Sequence, residues 1–212
     1  AMGSVFTGGL GVEWGYKLLT GKEKLGSEDF AEINRLSRQM ADIPPGSRGL
    51  VFLPFLTGSG TPHFDARDKA SWLGLSTGQS TALLLHSVME GVAYNIRENV
   101  DVFEHDGHAA KRIHLGGGGS RNPVWCRMIS NVLGRDVRLL TVRDASVVGA
   151  AILAGAGVRF FPSLEEAAGR AVKTGETYAC DGEQSAKYNR LYQQYRKVYP
   201  CLNAFYRESV DG

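Results

Sequence analysis

KRIHLGGGGSRNPVWCRMISNVLG, residues 111–134, carries the chain from a short apolar stretch through four consecutive glycines into an amphipathic helix. Arg112, Ile113, His114 and Leu115 alternate as a strand does. Asn122 followed by Pro123 is a helix start, an N-cap residue with proline at the first helical position. Trp125, Met128, Ile129, Val132 and Leu133 share one helical face, and Gly134 stands where a C-terminal cap belongs. Strand, glycine loop and helix N-terminus follow each other in the order in which α/β folds seat a ligand.

Glycine reaches backbone angles other residues avoid, and it lets a flat or anionic ligand touch the main chain. A Gly/Ser linker would not be flanked so tightly by a strand and a capped helix. The common nucleotide motifs do not fit. No Lys-Ser/Thr follows the glycines, so the loop is not a P-loop, and the third glycine of the dinucleotide fingerprint falls on Arg121 or Asn122. The residues themselves thus specify a ligand against backbone and leave its identity open.

The segment GGGSRNPVWCRMISNVLGRDV resembles the adenosine-binding segment of the FGGY family of carbohydrate kinases, which phosphorylate sugars and polyols with ATP. LPFLTGSGTPHFD, residues 53–65, resembles the family's LPYLSGERTPH stretch. Ser71-Trp72-Leu73-Gly74-Leu75, followed by His86-Ser87-Val88-Met89-Glu90-Gly91, resembles its C-terminal signature. Asp144-Ala145-Ser146-Val147-Val148-Gly149-Ala150-Ala151 resembles the start of its next helix. Four ordered motifs span nearly the whole chain, and the overall look is that of the pentulose kinases, the xylulokinase-like branch. The chain departs from the pattern at Ser59-Gly60, where the family commonly has Glu-Arg, so no role of those charges carries over.

The resemblance implies a ribonuclease-H-like (actin-like ATPase) α/β domain, the family's C-terminal domain, truncated at its N-terminal strands. It implies adenosine binding at Gly117, Gly118, Gly119 and Ser120, with Asn122 at the position that contacts the base edge. The family's DxGT phosphate loop, its GxxDQ catalytic aspartate and its GTSG-like second phosphate loop do not occur here. Phosphoryl transfer needs those groups around the γ-phosphate and a base on the accepting hydroxyl. No catalytic or metal residue is therefore assigned, and the chain alone is expected to be inactive. ATP and Mg2+ are the cofactors of the full-length enzyme, with Mg2+ held by residues outside this chain. The expected partners are an adenine nucleotide and the N-terminal kinase domain that this chain lacks. A truncated or regulatory module that binds a nucleotide or partner without turnover is the alternative.

Composition agrees with one sizeable domain. The chain has 212 residues, 43% of them hydrophobic, and a formal net charge of +2 with both signs interspersed. A nucleic-acid partner is not expected from that charge pattern, nor a membrane span or signal peptide from the hydropathy. Cys126, Cys180 and Cys201 form no CxxC pair and read as free thiols of a cytoplasmic protein. Residues 1–4 look like a cloning remnant, leaving residues 5–212 as the domain.

In chain order, strands are expected over residues 5–11, 49–54 and 137–141, besides the one before the glycines. Helices are expected over residues 12–19, with Trp14 and Leu18 inward, and over 28–40, with Phe30, Ile33, Leu36 and Met40 inward. Further helices are expected over residues 146–156 and 164–172, and over 184–199 with Pro200 as the stop. The longest should span residues 79–105, opened by a capping box at Ser76 and Gln79. Glu90 falls in its apolar stripe, where a carboxylate needs a partner, so a hydrogen bond to a loop is expected. Asp65 and Asp68 read as solvated loop carboxylates, and His105 with His108 as a turn. Gly149, Ala150 and Ala151 read as close helix packing, with Gly149 near the nucleotide by family resemblance. A sheet short of its first strands has an open edge, and a homodimer through that edge is the expected consequence.

Overall fold

The computed structural model describes residues 2–142 and 144–209; Ala1, within the expected remnant, lies outside them. Among the described residues, seven α-helices and five strands follow one another in the order α1 (Gly8–Thr20), α2 (Ser27–Met40), β1 (Val51–Leu53), β2 (Ser71–Leu73), α3 (Thr81–His105), β3 (Ile113–Leu115), α4 (Pro123–Leu133), β4 (Val137–Leu140), α5 (Ala145–Gly157), α6 (Leu164–Ala171), β5 (Thr174–Tyr178) and α7 (Gly182–Ser209).

The α3 helix is the centre of the fold. Leu85, Val88, Met89 and Val92 are fully buried along it, at the i, i+3, i+4, i+7 spacing of one helical face. Their burial contributes roughly 1.5–3 kcal/mol each. Four neighbours close on this row: α1, α2, α4 and the strand β1. Gly91 permits the last of these contacts, because a Cβ there would run into the Phe52 carbonyl oxygen. On α1, Gly11 and Gly15 bring the helix down onto Val88, Val92 and Leu85. Tyr188, Tyr192 and Tyr195 of α7 pack around Tyr94 of α3 with ring centroids 5.0–6.2 Å away.

Two small sheets replace the single one expected. β1 and β2 form an antiparallel ribbon in which Phe52 faces Trp72. β3 pairs in parallel with β4, and β4 in antiparallel with β5, giving the order β3-β4-β5. The outer edge of β3 has no strand beside it among the described residues.

Several expectations need correction. Residues 5–11 do not form a strand, since α1 already begins at Gly8; the buried pair Val12 and Tyr16 follows helical period and carries the start of the chain with it. Leu18 is 57% exposed, and Trp14 is half-buried in a stack with Phe52 and Trp72. Phe30 is 44% exposed. The cap of α3 is Ser80, which accepts from Leu83 N at 3.2 Å, and not Ser76. Pro200 lies inside α7, which runs on to Ser209. Proline removes one backbone hydrogen bond, and the turn beyond it is held from outside. Tyr199 Oη donates to Asp68 Oδ2 at 3.0 Å, Asn203 Nδ2 donates to Asp68 Oδ1 at 2.9 Å, and Tyr206 bonds Ser71. Asp65 and Asp68 are thus buried anchors, 8% and 1% exposed, not solvated carboxylates. The Arg67 guanidinium bonded to Asp65 holds its carboxyl well below the usual range.

The Ser59-Gly60 departure has a structural use. Thr61 N donates to Ser4 O, and Ser4 N to Thr61 Oγ1, both at 2.9 Å. A Cβ at Gly60 would strike the same Ser4 carbonyl. Ser4, inside the expected remnant, is therefore bonded into the fold.

Glu90 does find its loop. Its carboxylate, 2% exposed, accepts from Gly46 N at 2.8 Å and from Ser47 Oγ at 2.6 Å, and Ser47 Oγ lies 2.8 Å from His86 Nδ1. Burial still pushes Glu90 up from 4.5 to about 7, and pulls the adjoining His86 down from 6.5 to about 4. At about 1.36 kcal/mol per pH unit, Glu90 costs roughly 3 kcal/mol when ionised, which the apolar row of α3 outweighs. From about pH 4.5 to 6.5 the unfolded chain keeps one proton on His86 and the folded chain keeps one on Glu90. Equal proton counts give no slope. Glu90→Gln leaves His86 alone, whose folded pKa is depressed, so stability should be lost as pH falls from about 6.5 towards 4. His86→Gln leaves Glu90 alone, whose folded pKa is raised, so stability should be lost as pH rises from about 4.5 to 7. Urea midpoints across that range check this, and slopes of the same sign in both variants would refute it.

Candidate functional site

The chain leaves β3 at Leu115 and turns through the glycines before entering α4. Gly117 takes φ 83 and ψ −174, a conformation that favours glycine, and Gly118–Arg121 forms a 3-10 turn. Ser120 closes this turn on itself, its Oγ donating to Gly117 O at 2.7 Å. Asn122 then caps α4, its Oδ1 accepting from Trp125 N at 3.1 Å. Its Nδ2 donates to Ser37 Oγ of α2 at 2.5 Å, and Ser37 Oγ in turn donates to Ile33 O at 2.6 Å. The start of α4, and with it the loop, is thereby tied to α2.

The four glycines have different reasons to be glycine. At Gly119 a Cβ would lie 2.6 Å from Trp125 Cζ3, and that ring is fixed by Nε1 donating to Met89 O at 3.1 Å. The fold itself demands Gly119. Gly118 has negative φ and open space where its Cβ would be. Nothing in the protein requires glycine there, which leaves room for a ligand as the reason.

A cleft of about 710 Å³ opens over the loop. Gly117, Gly118, Gly119, Ser120 and Asn122 all line it, so the residues singled out in the sequence converge on one place. Its floor and walls are apolar, made by Val12, Phe30, Ile33, Val92, Leu115 and Ile129. Asn122 is 7% exposed, its amide turned into the protein. The charged side chains lining the cleft are Glu13 and Arg121. Cys126, behind the loop, donates to Ser120 O at 3.3 Å, and burial pushes its thiol up to about 11, far from a nucleophile's range.

Sequence reasoning missed the opposite rim. Gly8 and Gly9, read as strand, are the first turn of α1 and line the same cleft. Thr7, the N-cap residue, sends its hydroxyl to Pro54 O and leaves the N-terminus of α1 without a side-chain cap. Such an end carries unpaired N–H groups and positive partial charge. A Cβ on Gly9 would be 4.0 Å from Gly119 N, so the helix start and the glycine loop face each other closely. Thr-Gly-Gly before a run at helical spacing was the available signal. Gly149, expected near the nucleotide by resemblance, does not line this cleft. Among the described residues no group of three His, Cys, Asp or Glu side chains is placed to hold a metal ion.

Comparison with known proteins gives a concordant result. The family model described as the C-terminal domain of the FGGY family of carbohydrate kinases matches residues 1–158. The xylulose kinase of Bacillus subtilis is 28% identical over 196 residues, covering 92% of this chain and 39% of that protein. The glycerol kinase of Vibrio campbellii is 30% identical over 207 residues, covering 96% of this chain and 38% of that protein. The crystal structure of xylulose kinase from Rhodospirillum rubrum superposes with a TM-score of 0.78 at 31% identity, over 94% of this chain and 39% of its own. The chain thus spans about two fifths of the length of these relatives. The fold is the α/β, ribonuclease-H-like (actin-like ATPase) class expected of such a domain.

The different demands on the glycines are testable by stability alone. Gly119→Ala should lower the unfolding free energy by about 1–3 kcal/mol, because a methyl group cannot share space with the Trp125 ring. Gly118→Ala should change it by less than about 0.5 kcal/mol. Urea unfolding of both variants decides this, and equal losses would show that the loop does not rest on Trp125 as described.

Proposed function

Because the chain belongs to the FGGY family of carbohydrate kinases, through that family's C-terminal domain, we propose that it carries the adenosine side of an ATP-dependent phosphoryl transfer to a sugar. The names of its relatives favour a pentulose such as xylulose as the accepting sugar. One observation supports the reading above all. The exposed backbone at Gly117 and Gly118 faces the uncapped start of α1 across an apolar floor. A purine fills a slot of that polarity, the ribose lies along Gly117–Ser120, and the α-phosphate points at the N–H groups of Gly8 and Gly9. Asn122 keeps the loop in register from behind.

ATP supplies the phosphoryl group, and this chain's residues orient its nucleoside end. The chain sequence has no DxGT, GxxDQ or GTSG-like stretch, so in this reading the γ-phosphate, its Mg2+ and the sugar hydroxyl are handled by a partner N-terminal kinase domain. Turnover by this chain alone is then not expected. The free thiols Cys126, Cys180 and Cys201 suit a reducing, cytoplasmic setting.

Calorimetry of this chain should detect adenosine, with ADP bound up to about fivefold more tightly through the α1 N-terminus, the equivalent of about 1 kcal/mol. Gly118→Ala should abolish both without loss of stability, since its methyl group would occupy the ligand's place. Absence of any heat or shift at millimolar nucleotide, or unchanged affinity in Gly118→Ala, would overturn the reading.

A further inference from the structure

A second cavity, of about 650 Å³, opens on the other side of α4. Met40, Ile43, Pro44, Val124 and Met128 give it apolar walls. Arg127 of α4 and Lys187 of α7 bring two cations to its mouth, and His86 of α3, only 3% exposed, lines its floor. The Nδ1 edge of that ring is turned to Ser47, and Nε2 has no partner in the protein among the described residues. An unpaired nitrogen is ordinary on a surface side chain and unusual on a buried one. The ring lines the cavity, so the free nitrogen is offered to it.

Ser47 decides what that nitrogen offers. Its hydroxyl has one proton and lies 2.6 Å from Glu90 Oε2 and 2.8 Å from His86 Nδ1. An ionised Glu90 only accepts. Ser47 then gives it the proton, Nδ1–H donates to Ser47, and Nε2 is bare. A neutral Glu90 reverses the chain. Its Oε1 still accepts from Gly46 N at 2.8 Å, so the carboxyl proton sits on Oε2 and goes to Ser47. Ser47 donates to Nδ1, and Nε2 carries the imidazole hydrogen. A proton gained at Glu90 is therefore felt in the cavity as a change from acceptor to donor. Tyr94 and Tyr188 are the other titratable groups against Glu90, and burial pushes both phenols up. Asp42, Asp181, Arg127 and Lys187 line the cavity with His86.

We propose that this cavity binds a small organic carboxylate, held by Arg127 and Lys187 at the mouth and by His86 Nε2–H at the floor, and that the ligand is bound together with a proton on Glu90. A carboxylate needs donors, and a bare Nε2 would set a lone pair against it. Its planar pair of oxygens suits the Arg127 fork. The acids of the cavity argue against phosphate, since a dianion would meet Asp42 and Asp181 at short range. Asp181 does not move aside, because its Oδ1 caps α7 by accepting from Glu183 N at 2.9 Å and Gln184 N at 3.0 Å. The apolar walls take the body of the ligand.

This inference does not depend on the nucleotide reading. Burial lifts Glu90 to about 7, so the binding state is populated below that pH and lost above it. Calorimetry of the whole chain with benzoate, which stays ionised throughout, should show affinity falling about five- to tenfold from about pH 6.5 to 8. Glu90→Gln holds Gly46 N on its oxygen and donates to Ser47, which fixes Nε2–H, so its affinity should be flat over that range. Arg127→Ala should weaken benzoate about tenfold, and saturating adenosine should not displace it. Nitrogen NMR of the His86 ring reads the relay without ligand, with Nε2–H expected below about pH 6.5 and Nδ1–H above about pH 7.5. No binding at millimolar benzoate, a pH dependence that is absent in the wild type or survives in Glu90→Gln, or full affinity in Arg127→Ala would overturn the proposal. So would displacement by adenosine, tighter binding of phenyl phosphate than of benzoate, or a single His86 tautomer across the range.

Discussion

A single amide holds the candidate site together. Asn122 accepts the Trp125 N–H in the first turn of α4 and donates to Ser37, and Ser37 returns its proton to α2. Two helices that are far apart in sequence therefore share one buried polar link. Buried polar groups are costly unless every partner is present, so this link specifies one arrangement of α2, α4 and the loop between β3 and α4. The glycine loop has no freedom to drift, because Asn122 fixes its end and Trp125 lies under Gly119.

The same economy of contacts appears around α3. Its apolar row supplies the stability, while its polar residues fix the loops that reach over it. Glu90 and His86 hold the turn at Gly46 and Ser47. Asn99 and Asn95 hold the Thr61 carbonyl. Trp125 ties α4 to the Met89 carbonyl on the same helix. The cleft is thus a gap between elements that are each anchored separately to α3, and its shape is set before any ligand enters. Such preorganisation lowers the cost of ordering groups on binding.

Much of this could be read from the sequence where local chemistry decides the outcome. Asn122-Pro123 and Gly134 bound α4 as their capping chemistry requires, and Glu90 found a loop because a buried carboxylate must. The failures share a cause in tertiary structure. Residues 5–11 look like a strand by composition, yet Gly11 and Gly15 serve the contact of α1 with α3, which only the fold reveals. Pro200 has the appearance of a stop, but Asp65, Asp68 and Ser71, well over a hundred residues away, hold the helix beyond it. β5, TGETY, is exposed and polar up to its buried last residue, Tyr178, and carries no hydrophobic alternation to announce it. Asn122 was legible as a cap and as a family position, while the engagement of its amide by Ser37 was not, since that bond joins residues 85 apart.

The account stands or falls on where an adenine nucleotide touches this chain. At 23.0 kDa the protein is within reach of amide-resolved NMR, and titration with ADP gives the answer residue by residue. The account predicts shifts confined to one patch formed by Gly8, Gly9 and Gly117–Ser120, with none around Arg127, Asn131 and Lys187 on the other side of α4. Shifts centred on that other side, or an unperturbed glycine loop at saturating ADP, would contradict it.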